Sequence, residues 1–299
     1  MLAATLRMAT PIALAATGAA LSERGGVINI GLEGMMLAGA FAGVLGSYLS
    51  GSPWLGVLLG VAAGTLFGVI LAAFAIGLGA DQVVSGVGLN ILAMGLTAWL
   101  MQVIWRSRGT SPNVTGLPRW SVPATADLPV VGPLLSDQSP LVFAALVLVP
   151  LCWLVLFRTP AGLRLRLVGE HPEAAGTLGL PVRRLQYVAV AASGALAGLG
   201  GVALSLGELN WFSLNMSAGR GYMALAANIF GQWNPVGGFL AALLFAFTDA
   251  LQMRVQTRAV AVPSELIQML PYVLTVLVLA GAVIKSRPPA ALGRHYRPG

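Results

Sequence analysis

The sequence predicts an all-α, polytopic bundle of transmembrane helices, with about seven full spans and two shorter or re-entrant helical segments. Three observations carry that prediction. Hydrophobic residues fill 57% of the 299 positions and charged residues only 9%, against roughly a quarter charged in a soluble domain. The apolar residues come in blocks of about 18 to 24, the length a helix needs to cross about 30 Å of hydrocarbon. The 17 cations, which set a net charge of +7, lie between those blocks rather than on one basic face. They therefore orient the chain in a bilayer and offer no nucleic-acid surface.

Taken in order, the first apolar segment, Met8 to Leu21, is too short for a clean span and reads as a re-entrant or broken helix. It runs on to Ser22-Glu23-Arg24 with no small-x-small cleavage site, so no cleavable signal is expected. Full spans are predicted at Glu33 to Ser50, Trp54 to Ile76, Gln82 to Trp105, Pro140 to Phe157 and Leu185 to Gly207. Gly221 to Trp233 is the second short segment, and spans at Val236 to Met253 and Pro263 to Val283 follow. Residues 1–284 thus form one integral membrane domain with a loop at 158–184, and residues 285–299 form a basic tail.

Arginines gather in the 158–184 loop (Arg158, Arg164, Arg166, Arg183, Arg184) and in the tail (Lys285, Arg287, Arg294, Arg297). The positive-inside rule places both in the cytoplasm. An even number of crossings must then separate them, so Gly221 to Trp233 counts as a pass. Connections 106–139, 207–220 and 254–262 fall on the outside, while 22–32 and 77–81 fall inside. Arg106, Arg108 and Arg119 go against the rule in that arrangement.

Each short segment leads through a Gly- and Asn-bearing turn into long spans of the same sense. That pattern suits a parallel internal repeat, as transporters often have, with chance similarity among Gly/Ala-rich helices as the alternative. Gly60, Gly64 and Gly68 share a helix face, as do Gly39 with Gly43 and Gly194 with Gly198. Such stripes are expected to let helices pack closely in lipid.

No catalytic residue and no metal ligand set is predicted. A P-loop needs a lysine after a glycine-rich turn, and the only lysine, Lys285, follows Val283-Ile284. His171 and His295 are loop residues several spans apart, and Cys152 lies alone inside an apolar block. The chain is therefore not expected to be an enzyme. Polar groups at membrane depth are the candidates for a transport pathway: Asn29, Glu33, Asn90 and Asp249. Each has a structural alternative. Asp249 can pair with Arg254 or Arg258, Glu33 (like Asp81) can cap helix N–H groups, and Asn29 and Asn90 can bond between helices.

The loop stretch Gly169-Glu170-His171-Pro172-Glu173-Ala174-Ala175-Gly176-Thr177-Leu178-Gly179-Leu180-Pro181 predicts a short helix. Pro172 suits its first position, Glu173 suits its dipole, and Gly179 with Pro181 end it after about two turns. A short helix flanked by arginines is shaped to dock into a partner's groove, the alternative being a solvated loop.

These residues resemble the permeases of bacterial ABC importers. Glu173-Ala174-Ala175 followed by Gly179 resembles the start of the Glu-Ala-Ala loop that couples such permeases to their ATPases, which singles out Glu170, Pro172, Glu173, Ala174, Ala175 and Gly179. The Ile-x-Leu-Pro that ends the long form of that loop is not in register. The run Ser22-Glu23-Arg24-Gly25-Gly26-Val27-Ile28-Asn29-Ile30-Gly31-Leu32-Glu33-Gly34-Met35-Met36 is similar to the branched-chain amino acid, ribose and simple-sugar permease superfamily, closest to its nucleoside-import branch. The resemblance implies half of a translocation pathway for nucleosides, with simple sugars (ribose or galactose) or branched-chain amino acids as alternative solutes. It further implies a second permease, homologous or identical; a cytoplasmic ABC ATPase that binds ATP-Mg; and an extracytoplasmic solute-binding lipoprotein. The setting it implies is a bacterial plasma membrane. A secondary transporter, the reading from a different class, predicts intramembrane carboxylates for ion coupling and no docking helix.

Overall fold

A computed structural model describes residues 1–121, 135–257 and 287–296. The span predicted at Pro263 to Val283, with Arg258, Lys285 and Arg297, lies outside the described residues. Local chemistry sets where the helices start. Proline, which lacks the N–H that a first turn leaves unused, opens five of them, at Pro53, Pro140, Pro160, Pro172 and Pro235. Asp81 caps another, accepting the Val83 and Val84 N–H groups at 2.9 Å each. The elements are α1 (Leu2–Arg24), α2 (Leu32–Ser50), α3 (Pro53–Ala72), α4 (Gln82–Trp105), α5 (Pro140–Arg158), α6 (Pro160–Glu170), α7 (Pro172–Thr177), α8 (Val182–Leu204), α9 (Arg220–Phe230) and α10 (Pro235–Thr257). α3 and α8 each run on into a five-residue π turn, Ala73–Gly77 and Ser205–Leu209.

Among the described residues seven helices are long and apolar enough to span a bilayer: α1, α2, α3, α4, α5, α8 and α10. The all-α bundle expected from composition is therefore the observed one, with one correction. The first segment is not short, because α1 is a continuous helix of 23 residues. An apolar window ends it early, since its flanking residues are polar. The helix satisfies its own hydroxyls. The Thr5, Thr10 and Thr17 hydroxyls donate to the carbonyls of Met1, Leu6 and Ala13 at 3.3, 2.9 and 2.8 Å, and Glu23 is buried against partners on another element.

The second segment is short, as expected. α9 has 11 residues, about 16 Å at 1.5 Å per residue, or half of a hydrocarbon layer. Irregular chain at 210–219 makes the other half of the crossing, with Asn210, Asn215, Ala218 and Gly219 at φ 62, 54, 47 and 83°. α1 and α9 run in the same sense, since Glu23 near the end of α1 meets Asn228 and Trp233 near the end of α9. The two are unequal in length, so any repeat is imperfect.

The connections sort into two groups, as the counting of crossings required. At one end, segment 109–117 pairs with 206–214: Ser111 N–H donates to Phe212 O at 2.8 Å, Val114 to Asn210 at 2.9 Å and Leu117 to Leu206 at 3.0 Å. Ser47 Oγ reaches Thr115 O there at 2.7 Å. The other end gathers the 25–31 connection, the 77–82 turn, the arginine-rich loop and residues 287–296. Gln186 Nε2 donates to Gly25 O at 3.1 Å, Ile28 N–H to Gln82 Oε1 at 2.8 Å and Ala291 N–H to Gly169 O at 3.0 Å.

α1, α2 and α8 form the interior, and α3, α4, α5 and α10 form the outside. The three predicted glycine stripes meet in one seam between α2, α3 and α8. A Cβ on Gly39 would lie 2.5 Å from Gly198 Cα, and one on Gly198 would lie 2.6 Å from Gly60 O and 3.0 Å from Gly64 Cα. Backbone meets backbone there, and neither side can yield. Gly198→Val is expected to cost about 3 kcal/mol or more by overpacking, read as a lower melting temperature in detergent; a wild-type melting curve would show that the seam has slack.

Candidate functional site

Two places in the fold gather chemistry. The first is the arginine-rich loop. Thr159 accepts the Gly162 N–H at 3.3 Å and Pro160 follows, so a helix, α6, starts directly after α5. α6 lies where no helix is expected from the loop's sequence, although Thr159-Pro160 is the signal that starts it. Arg158 stacks over Trp153 at 5.7 Å, and Arg24 and Arg166 over Phe157 at 5.6 and 5.0 Å. These rings fix the cations at the end of α5.

α7 then forms where predicted, from Pro172 to Thr177, and the chain turns at Gly179 with φ +75°. It has a small core of its own: Val168, Ala175 and Val182 are buried, with Leu167, Leu180, Leu185 and Tyr296 packed around them. Of the six residues singled out here, Ala175 belongs to that core and Pro172 is buried, while Glu173, Ala174 and Gly179 are exposed. Glu170 turns elsewhere, its Oε2 accepting the Ala290 N–H at 3.0 Å. Leu178 escaped the sequence reading and is 71% exposed at the tip of the loop. With Glu173 and Ala174 it lies on the exposed side of a segment braced from below.

The second place lies inside the bundle, where the 25–31 connection, α4, α8 and α9 meet. Asn90 lies about 12 Å along α4 and Ser193 about 16 Å along α8 from the loop end, at 1.5 Å per residue. Asn29, fully buried, donates from Nδ2 to Ser193 Oγ at 2.9 Å. Asn90 uses its whole amide between elements: Oδ1 accepts the Gly34 N–H at 2.8 Å, and Nδ2 donates to Ile30 O and Tyr222 Oη, each at 3.0 Å. Interhelical bonding is thus what Asn90 does.

Glu33 caps a helix other than its own. Its Oε1 accepts the Gly219 N–H at 2.8 Å and its Oε2 the Gly221 N–H at 2.7 Å, so the carboxylate closes the N-terminus of α9 within the bundle. Gly221 permits the approach, because a Cβ there would lie 2.5 Å from Glu33 Cα. Beside this group two buried acceptors, Asn29 Oδ1 and Ser217 Oγ, meet no hydrogen-bond partner among the described residues.

The other end of α9 is held just as firmly. Glu23 Oε2 accepts from Asn228 Nδ2 at 2.9 Å and Trp233 Nε1 at 2.5 Å, while Arg24 donates to the carbonyls of Trp233 and Gln232 at 2.9 and 3.0 Å. The two carboxylates that bracket the 25–31 connection therefore grip α9 at both ends. Sequence reasoning missed Glu23, Asn228 and Trp233; the available signal was a carboxylate directly abutting an apolar block. Asp249, the fourth pathway candidate, stands apart on α10. Arg220 of α9 is an electrostatic neighbour, because α9 enters the bundle beside α10, a proximity sequence spacing does not show; Arg258, one of the two partners expected for it, lies outside the described residues.

A family model for branched-chain amino acid transport system permease components matches residues 1–279. The guanosine ABC transporter permease protein NupQ of Bacillus subtilis is 40% identical, covering 99% of this chain and 96% of that one. The nucleoside ABC transporter permease protein NupC of Lactococcus lactis is also 40% identical, covering 96% and 93%. Each organism has a second, more distant relative, NupP at 27% and NupB at 26% identity. Among solved structures, a metal-chelate type ABC transporter in an inward-facing conformation matches with a TM-score of 0.52 at 16% identity, over 93% of this chain and 85% of that one, which speaks to the fold alone. With a bundle of membrane-length helices, a braced loop helix and a family match over nearly its whole length, the chain belongs to the branched-chain amino acid transport system permease family.

Proposed function

We propose that the chain is one permease subunit of a bacterial ABC importer for nucleosides, forming half of the translocation pathway. α7 carries the reading: a short helix on its own core, exposing Glu173, Ala174 and Leu178 among arginines, fits a groove on a cytoplasmic ABC ATPase. ATP-Mg binds on that ATPase, and an extracytoplasmic lipoprotein delivers the solute. The loop end of the bundle, with the C-terminus, faces the cytoplasm by the positive-inside rule. The second permease is a different chain. In three organisms the relatives come in pairs, and this sequence sides with one member of each, at 35–40% against 25–27% identity.

The likeness to guanosine and nucleoside permeases, at 40% identity, exceeds that to a putative glucose permease of Haloferax volcanii, at 35% over a similar length, which favours nucleosides over sugars. Glu33 argues against branched-chain amino acids. A half-helix N-terminus inside a transporter can attract a solute carboxylate, and here the protein's own carboxylate fills that position. An uncharged, hydroxylated solute suits the acceptors left over at Asn29 and Ser217. The test is equilibrium binding of radiolabelled guanosine, ribose, galactose and leucine to the purified partner lipoprotein, followed by uptake into proteoliposomes. Guanosine binding and uptake are expected; tight sugar binding without nucleoside binding rejects the assignment.

A further inference from the structure

We propose that residues 287–296 are a strap that carries movement of the docking helix to the half-helix α9 by way of the 25–31 connection. The proposal rests on α7 being the ATPase dock. Three attachments define the strap. Ala290 and Ala291 N–H groups donate to Glu170 Oε2 and Gly169 O at the end of α6, each at 3.0 Å. Two residues on, the Gly293 N–H donates to Gly26 O at 3.0 Å, in the middle of the connection. Tyr296 then returns to the loop and packs on the Val168, Ala175 and Val182 cluster that supports α7, with Gly176 against its hydroxyl.

The strap thus ties platform to connection and back to platform within seven residues. The central tie is demanding. Gly26 and Gly293 sit at φ +86° and +79°, where L side chains are strained. A Cβ on Gly293 would also lie 2.9 Å from Ile28 Cδ1. What the tie reaches matters more than its own strength, because Glu23 and Glu33 at the ends of the connection hold both ends of α9. α6 also touches the connection directly, since Gly169 packs against Arg24 O and Gly26 N. Cutting the strap therefore weakens the transmission without removing it. Tyr296, Gly293 and Glu170 are in this sense positioning residues.

The experiment compares Gly293→Val, Tyr296→Ala and a chain ending at residue 286 with wild type, each in the full transporter in proteoliposomes. ATPase co-purification, ATP hydrolysis and guanosine uptake are measured together, with melting temperature as the control for folding. The ATPase is expected to stay bound and hydrolyse ATP, while uptake per ATP falls about tenfold, within the usual range of coupling between sites. Tyr296→Phe, which keeps the packed ring, is expected to restore the ratio. An unchanged ratio in Gly293→Val and Tyr296→Ala overturns the strap, whether or not the shortened chain folds. Loss of the ATPase from those variants overturns it too, since the segment would then be part of the dock. Failure of the docking reading looks different: Leu178→Asp would leave ATPase co-purification at the wild-type level.

Discussion

Glu33→Ala is expected to lower the melting temperature of the purified protein by roughly 6–12 °C and to abolish uptake. The carboxylate accepts two N–H groups at the start of α9, 2.8 and 2.7 Å away, at a buried position. A hydrogen bond to a charged group contributes about 1.5–3 kcal/mol, and a buried donor left without an acceptor carries a full desolvation penalty. Taking about 3 kcal/mol for the pair, and about 2–4 °C per kcal/mol for a chain of this size, gives that range. Water can reach the orphaned N–H groups only by entering the bundle, so the loss of stability comes with a disordered half-helix. Glu33→Gln separates the two contributions. It keeps one acceptor oxygen and loses the charge that complements the α9 dipole, so an intermediate melting temperature is expected. Equal melting curves for wild type and Glu33→Ala would show that the cap carries no weight.

The contrast between Glu33 and Pro172 shows why part of this molecule is legible in its sequence and part is not. The spans follow from runs of apolar residues, and α7 from Pro172, Gly179 and Pro181, all signals that act within a few residues of themselves. Five prolines mark helix starts for the same local reason. Glu33 looked like a cap because of where it stands in its own helix, and a cap it is. Its target, however, lies 186 and 188 positions further along the chain, and only the fold brings them together. Glu23 was unreadable for that reason, its partners being 205 and 210 positions away. α1 was cut short because the charge of Arg7 ends the apolar block, although the helix runs on through Thr5, whose hydroxyl bonds back to the carbonyl four residues earlier. The glycine stripes sit between these cases. Their faces were evident from spacing, but that Gly39, Gly60, Gly64 and Gly198 share one seam required three helices in place.

Leu178→Asp and Ala175→Asp are expected to end uptake equally, both through loss of the ATPase, and to differ in whether α7 stays folded. Leu178 is 71% exposed, so an aspartate there stays hydrated, and surface changes of this kind shift stability by about 0.5 kcal/mol or less. The chain should insert and melt as wild type does while losing its ATPase on purification, because a charge has replaced the apolar tip of the dock. Ala175 is fully buried between Val168 and Val182. A carboxylate placed there must either be desolvated or unpack the small core, so α7 itself comes apart. Lost ATPase binding should then accompany proteolytic sensitivity of the 170–181 loop, which Leu178→Asp should lack. Gly179→Ala falls between the two: at φ +75° an alanine is strained by about 1 kcal/mol, too little to unfold α7 against its core, so reduced uptake with normal insertion is expected. Wild-type uptake by Leu178→Asp would place the contact surface elsewhere. The exposed leucine is the discriminating position because it is not among the residues packed on the Val168 cluster, so a change there reads the partner contact and not the folding of α7.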